Sequence, residues 1–316
     1  MKPLYVFVIC LVASCVHDEC KTNNQPTNSI VYIKDLSEEI NKVDSLDDFY
    51  VLIEKNKNIL YPFFEINDSL ELPQRGEDLF PLVNNVYFDS LYEDVRKFFV
   101  DPIYFFKETN TAIIKYNSLS SIKLKPKITT LVSGFFNDII VDRNNIVVGL
   151  EYFLPPENKF KPKDLPSYIL SRYTPEHMNA IVLSSYFSQF NLINELDATM
   201  LNEMISFGKL YFVISSLLNC TEERIIMGYS QEEIDLLNNN EAFIYGFFLQ
   251  NELLFNESNI VKQKYISERP NTFEISQSIP GRVGRWLGLK IVDSFMKNQD
   301  YSLEELLIEK DYKKIF

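Results

Sequence analysis

The sequence predicts an α+β fold that is predominantly helical, with the helices arranged around one small β-sheet. In residues 47–116, and again after residue 162, apolar side chains recur at the spacing of amphipathic helices. Residues 128–154 are instead rich in β-branched and aromatic side chains, which indicates strands. Apolar residues make up 46% of the chain, so it can build a substantial core and is not predicted to be disordered.

The segment 1–14 has the layout of a secretory signal peptide. Lys2 provides a positive charge, an apolar core follows, and small residues lead to Cys15. The apolar run is shorter than the roughly 20 residues that a membrane-spanning helix needs. The order aliphatic, Ala, Ser, Cys resembles the lipobox of lipoproteins, so cleavage before Cys15 and attachment of lipid to its sulfur are predicted. The alternative is an ordinary signal peptide with a chance cysteine.

Residues 15–29 are predicted to be a flexible tether, because they contain too few apolar side chains to fold. The rest of the chain, residues 30–316, is expected to form a single domain at the periplasmic side of a membrane or at the cell surface. Asp18 and Glu19 loosely resemble signals that send some lipoproteins of the Bacteroidetes to the surface, although a solvated linker is the favoured interpretation.

The charge of the chain predicts that it has no nucleic-acid partner. Its 44 acidic and 31 basic residues give a net charge of −13, and the basic residues form no cluster. Phosphate contacts supply most of the affinity for nucleic acids, and an acidic surface cannot provide them.

The cysteines leave two alternatives open. After cleavage the chain keeps Cys15, Cys20 and Cys220. A disulfide between Cys20 and Cys220 is compatible with an oxidising periplasm, but it would tie the tether to the core. A buried thiol at Cys220 is therefore favoured.

The first part of the domain is predicted to be helical. Three helices are expected over residues 47–60, 89–100 and 102–116. The first would begin at Asp47 as its cap and stop before Pro62.

The strands follow, and helices then continue to the end of the chain. The stretch 128–154 is expected to form a hairpin or small sheet, with Asn144 and Asn145 in a turn suited to positive φ. Further helices are expected over residues 164–173, 175–190, 197–218, 230–238, 241–254, 284–298 and 302–309. The last list includes two capping boxes, Ser230 with Glu233 and Ser302 with Glu305.

Several motifs then occur in a fixed order. They are ATMLNEMISFGKLYF at 198–212, MGYS at 227–230, NE at 240–241 and IPGRVGRWLGLKIV at 279–292. This series resembles the gliding motility-associated lipoprotein family GldB of the Bacteroidetes, and the segment PSYI followed by Arg172 agrees with it. The resemblance implies a component of the envelope apparatus for gliding motility and type IX secretion, with other envelope proteins as partners.

That family is in turn similar to predicted zinc peptidases, which implies zincin-like helices around the sheet. Such peptidases carry HExxH on one helix and a Glu-Gly pair on another. Here the two histidines are His17 and His177, and Ile181 stands where a second ligand would be needed. Phe207 and Gly208 occupy the place of the Glu-Gly pair. We therefore expect no metal, no other cofactor and no peptidase activity, since the chemistry requires the zinc ligands.

Charged residues in these motifs are candidates for contacts in the former cleft or with a partner: Arg172, Glu203, Lys209, Glu241, Arg282 and Arg285. Glu203 could be a general acid or base, but a pair with Lys209 or Arg172 is favoured. Glu241 at a helix N-terminus is explained by the helix dipole.

The segment 279–292 and His177 have structural interpretations. Arg282 and Arg285 are expected to pair with acids of the chain or with carboxylates of a partner. Gly284 and Gly288, four residues apart, are expected to let another helix approach closely. His177 is expected to be an exposed or partly packed side chain in the first turn of a helix rather than a ligand.

Three functions remain in competition. The favoured one is a non-enzymatic lipoprotein of the motility and secretion apparatus, based on the family resemblance. A hydrolase that replaced zinc with carboxylates such as Glu203 and Glu241 is the second, and a degenerate protease that binds peptides without cutting them is the third.

Overall fold

The computed structural model describes residues 31–316, so the predicted signal peptide, Cys15 and the tether lie outside the described residues. The described part contains seventeen α-helices and one four-stranded sheet, which confirms the predominantly helical α+β class. Its buried apolar side chains form a core cluster that extends from Val31 to Ile315. None of the helices in this part is long and apolar enough to cross a membrane.

The sheet is mixed, with the strand order β1-β2-β4-β3. The strands are β1 (Tyr32–Asp35), β2 (Lys127–Leu131), β3 (Ile139–Val141) and β4 (Asn145–Gly149). Strands β1 and β4 pair in parallel with β2, and β3 pairs antiparallel with β4. The predicted hairpin is therefore present, but β1 was not predicted, because four partly exposed residues show no clear alternation.

Two details of the predicted strand region are wrong. The turn before β4 has no positive φ, because the side chain of Asp142 accepts hydrogen bonds from the backbone N–H groups of Asn144 and Asn145 and holds an ordinary turn. The segment Leu150–Phe153 forms a 3-10 helix instead of continuing the strand.

The N-terminal helices are α1 (Ser37–Asn41), α2 (Leu46–Lys55), α3 (Lys57–Phe63), α4 (Leu72–Val83), α5 (Val86–Phe98), α6 (Pro102–Phe105) and α7 (Lys107–Leu119). The helix predicted over 47–60 is divided at Asn56 into α2 and α3, and Pro62 lies inside α3. Its cap is Ser45, whose side chain accepts a hydrogen bond from the backbone N–H of Asp48. The helix predicted over 102–116 is likewise divided, at Phe106.

The C-terminal helices are α8 (Ser167–Leu170), α9 (Met178–Ser188), α10 (Met200–Leu217), α11 (Glu223–Met227), α12 (Gln231–Asn239), α13 (Glu241–Gln250), α14 (Asn259–Ile266), α15 (Val283–Asn298), α16 (Leu303–Ile308) and α17 (Tyr312–Ile315). Both predicted capping boxes are present, at the starts of α12 and α16. The long helices α10 and α15 agree with the prediction to within three residues at each end.

Helices α10 and α15 pack with their backbones in contact. A Cβ atom at Gly288 would lie 1.9 Å from the carbonyl oxygen of Met204, and one at Gly208 would lie 2.2 Å from that of Gly288. The close approach predicted for the glycines of α15 is therefore confirmed. Because Trp286 on α15 is also fully buried, the start of this helix is held in a fixed position.

Cys220 follows α10 and is exposed and disulfide-bonded. The prediction of a buried thiol at this position is therefore wrong. The other three cysteines of the chain lie outside the described residues.

Candidate functional site: an arginine cluster around Glu268

Three arginines from two parts of the chain converge on one carboxylate. Arg172 follows α8, Arg282 caps the N-terminus of α15, Arg285 lies in the first turn of α15, and Glu268 follows α14. We call these four residues the arginine cluster. Nη2 of Arg172 lies 2.6 Å from Oε2 of Glu268, Nη1 of Arg285 lies 3.0 Å from Oε1, and Nε of Arg282 lies 3.4 Å from Oε2.

Arg282 joins two of the sequence motifs. Its backbone has a φ of 62°, and its guanidinium donates hydrogen bonds to the carbonyl oxygens of Met227 at 2.8 Å and Gly228 at 2.9 Å. The same guanidinium lies over the ring of Tyr229, 4.6 Å from its centroid, and the Tyr229 hydroxyl donates to the carbonyl of Gly281. The MGYS motif and the start of the IPGRVGRWLGLKIV motif are therefore parts of one structural unit.

Arg285 is held by a second set of contacts. Its Nε donates to the carbonyl of Ile266 at 2.7 Å, and its guanidinium lies 4.3 Å from the centroid of the Phe207 ring. The aromatic face of Phe207 therefore holds this guanidinium in a fixed plane.

The cluster carries an excess of positive charge. Burial opposes ionisation of Glu268, but the guanidinium groups of Arg172, Arg282 and Arg285 outweigh it and lower the pKa of the carboxyl. The arginine side chains are only 7–15% exposed. Because guanidinium groups are always protonated, three largely buried positive charges share the one negative charge of Glu268.

Two cavities lie beside the cluster, and both are lined by Arg172, His177 and Arg282. The smaller, of about 260 Å³, is also lined by Arg224 and Arg269. The larger, of about 470 Å³, adds the other two cluster members and a set of mainly apolar side chains: Leu165, Ile169, Tyr173, Ile181, Tyr211, Ile225, Ile226 and Met227. The lining of the larger cavity therefore combines charged and apolar side chains.

His177 lies between the two cavities. The prediction of an exposed or partly packed side chain is wrong, since the residue is buried at the N-cap of α9. Its Nδ1 lies 2.8 Å from Oγ1 of Thr174. Burial, assisted by the nearby positive charges of Arg224 and Arg172, lowers the pKa of the imidazole. The neutral form is therefore favoured near pH 7.

Glu203 and Lys209 lie outside the arginine cluster, and the predicted pairing of Glu203 with Lys209 or Arg172 is wrong. Glu203 pairs with the buried Lys262, which comes from α14. Lys209 donates to the carbonyl oxygens of Leu192 and Glu309, each at 2.6 Å, and to a third carbonyl at 3.3 Å. Burial lowers the pKa of Lys209 to about 8. Both lysines therefore bind polar groups of the fold itself.

Glu241 lies at a third location. It is exposed at the first position of α13, as predicted, and lines a cavity of about 770 Å³ together with Phe316. Within residues 31–316, no group of three or more His, Cys, Asp or Glu side chains is arranged to hold a metal ion.

Glu268 was not recognised in the sequence, although it is the centre of the site. It lies in the segment SERP at 267–270, which has neither a periodic pattern nor a motif. A weak signal was available, because two arginines in a segment with buried neighbours require a nearby carboxylate. Local sequence cannot choose among the 44 acidic residues of the chain.

Comparisons with known proteins place the chain in a family. No curated protein and no solved structure matches it. The zincin-like similarity therefore stays a prediction. A family model described as gliding motility protein GldB matches residues 18–316, which include every motif of the arginine cluster. The chain therefore belongs to the family of the gliding motility protein GldB.

Proposed function

We propose that the protein is a lipid-anchored, non-enzymatic component of the envelope machinery for gliding motility and type IX secretion. The observation that carries this proposal is the family match over residues 18–316. The site is consistent with it. Arginines are poor general acids and bases because they stay protonated. The arginines of the cluster instead connect α8, α11, α14 and α15 through their ion pairs and hydrogen bonds.

The anchor on Cys15 is central to this proposal. Acyl chains on one cysteine bind a membrane firmly, since each buried CH₂ contributes about 0.8 kcal/mol. The polar tether of residues 15–29 would let the domain reach other envelope proteins while staying at the membrane. A domain that acts by contact with partners depends on its position at the membrane, because tethering raises the effective concentration of the domain near its envelope partners.

The proposal is tested by deletion and complementation. Deleting the gene should stop surface movement and secretion, and the wild-type gene should restore both. The Cys15→Ser variant should leave the membrane fraction and fail to restore them. Cys10→Ser is the matched control, because this cysteine belongs to the predicted signal peptide and would be removed with it. Full complementation by a soluble Cys15→Ser protein would refute the role of the anchor.

The deletion strain also tests the role in motility. Unchanged movement and secretion, together with the loss of a peptidase activity, would favour the hydrolase alternative. In the structure the two carboxylates considered for such an enzyme have separate surroundings, since Glu203 pairs with Lys262 and Glu241 is exposed near Phe316.

A further inference from the structure

We propose that the larger cavity of the arginine cluster binds a small carboxylate ligand that carries an apolar group. The cavity has a volume of about 470 Å³, within the range of roughly 300–1,000 Å³ that is typical of ligand pockets. This inference goes beyond the role in motility and does not depend on it, because binding is measured on the purified protein.

The charged part of the cavity lining favours an anion. Arg172, Arg282 and Arg285 line it together with Glu268, so two positive charges remain after the internal pairing. A buried charge without a counter-ion is costly, and a carboxylate ligand would supply one. Planar guanidinium groups also match the two oxygen atoms of a carboxylate.

Arg285 has donors left for such a ligand. A guanidinium has five N–H groups, and among the described residues Arg285 donates to the carbonyl of Ile266 through Nε and to Glu268 through Nη1. Its remaining N–H groups belong to a side chain that lines the cavity. Stacking on Phe207 fixes the plane of the guanidinium, so the donors are oriented before a ligand arrives.

The apolar part of the cavity lining favours an apolar group. Ile169, Ile181 and Met227 contribute to it, together with Ile225 and Leu165. Burial of one aliphatic side chain and one charge-assisted hydrogen bond contribute comparable free energies to binding. The two parts of the lining together select a ligand that has both features.

The test uses the full-length protein in detergent and three small probes. N-acetyl-leucine carries the carboxylate and an apolar side chain, N-acetyl-leucinamide lacks only the charge, and inorganic phosphate lacks the apolar group. Ligand-detected NMR titration should give a Kd for N-acetyl-leucine at or below about 1 mM. The amide and phosphate should bind at least about tenfold more weakly, because each lacks one of the two interactions.

Variants test whether the probe occupies this cavity. Arg285→Gln should weaken binding of N-acetyl-leucine by about tenfold, and Arg285→Lys should recover part of the loss because the charge returns without the planar fork. Glu268→Gln should tighten binding, since the internal carboxylate no longer competes for the arginines. Arg96→Gln is the matched control, because Arg96 pairs with Asp35 at the surface and should leave the affinity unchanged.

Arg285→Gln and Glu268→Gln should change the affinity for N-acetyl-leucine in opposite directions. Misfolding would instead lower the affinity of both variants, so the two explanations can be distinguished. The proposal would be overturned if N-acetyl-leucine did not bind at 10 mM, which is about tenfold above the expected Kd. It would also be overturned if N-acetyl-leucinamide or phosphate bound as tightly as N-acetyl-leucine, or if a folded Glu268→Gln protein bound N-acetyl-leucine more weakly than the wild type. Failure here would leave the complementation results for Cys15 unaffected.

Discussion

Glu151 shows how much one buried side chain determines locally. Its Oε1 accepts hydrogen bonds from the backbone N–H of Ser133 at 2.7 Å, from the Ser133 hydroxyl at 2.7 Å and from the N–H of Phe135 at 3.0 Å. Its Oε2 is buried without a hydrogen-bond partner in the described part of the chain. Burial raises the pKa of this carboxyl more than the hydrogen bonds lower it.

Substitutions at Glu151 should therefore differ sharply. Glu151→Ala leaves three donors without their acceptor, and we expect it to lower the free energy of unfolding by about 3 kcal/mol. Glu151→Gln keeps an oxygen acceptor and removes the charge. Urea denaturation at pH 8 is the measurement, and a Gln variant as unstable as the Ala variant would show that the charged form is required.

The same site predicts a pH dependence. Because the folded-state pKa of Glu151 is raised, the unfolded state releases its proton first, and stability falls as pH rises from the unfolded pKa through the folded pKa. Glu151→Gln should remove this part of the pH dependence. The difference between the two proteins should therefore grow from pH 4 upwards, about where an unperturbed glutamate ionises.

For Lys209 we expect the opposite change of stability with pH, in the alkaline range. Its folded-state pKa of about 8 lies below the ordinary value of 10.5, so the unfolded state binds more protons between these limits. Stability should then rise with pH in this window, by up to about 1.4 kcal/mol per pH unit from this group. Comparing the denaturation of the wild type and of Lys209→Met from pH 8 to 10 isolates the contribution of Lys209 to stability. If the free energies of unfolding of the two proteins changed in parallel with pH, the lowered pKa of Lys209 would be contradicted.

At the scale of elements, the contact between α10 and α15 decides how the site is built. The contact orients the first turn of α15, which carries Arg285, toward the segment after α14. It depends on glycine, because the backbone of each helix occupies the space in which the other would place a Cβ atom. Sequence spacing predicted a close approach, but it did not predict which helix would be the partner.

Gly288→Ala should disrupt this contact. The added methyl group would overlap the carbonyl of Met204, and we expect a loss of roughly 2–3 kcal/mol in the free energy of unfolding. Gly246→Ala on α13 is the matched control, because nothing lies within 4 Å of a Cβ atom there. The Gly246→Ala variant should leave the free energy of unfolding unchanged or raise it by up to about 1 kcal/mol. Equal melting temperatures for the two variants would show that the helices can move apart.

For the whole molecule, the arginine cluster brings together segments that are far apart in the chain. Arg172 and Glu268 are separated by 96 positions, and the MGYS motif lies between them. Three of the family motifs meet at this site through Phe207, Tyr229 and Arg282, whereas the NE motif at 240–241 lies elsewhere. The predicted boundaries of the tether and domain, and the anchor at Cys15, stay predictions.

The sequence by itself determined the features that neighbouring residues encode. Helix periodicity, the capping boxes at Ser230 and Ser302, the hairpin and the absence of HExxH can all be recognised from short segments, because their physical causes act over a few residues. Shorter features were missed or misplaced, such as β1 and the break at Asn56, because their signals are weak.

Only the tertiary structure decided the charge partners. Arg282 and Arg285 were expected to pair with acids, and they do, but the sequence did not identify Glu268 as the shared partner. Lys262 as the partner of Glu203 and backbone carbonyls as the partners of Lys209 were unexpected. An ion pair requires two side chains to meet in space, and a local pattern contains no information about the second one. The chemistry of this site therefore depends on the packing of α10, α14 and α15, which short-range sequence rules do not specify.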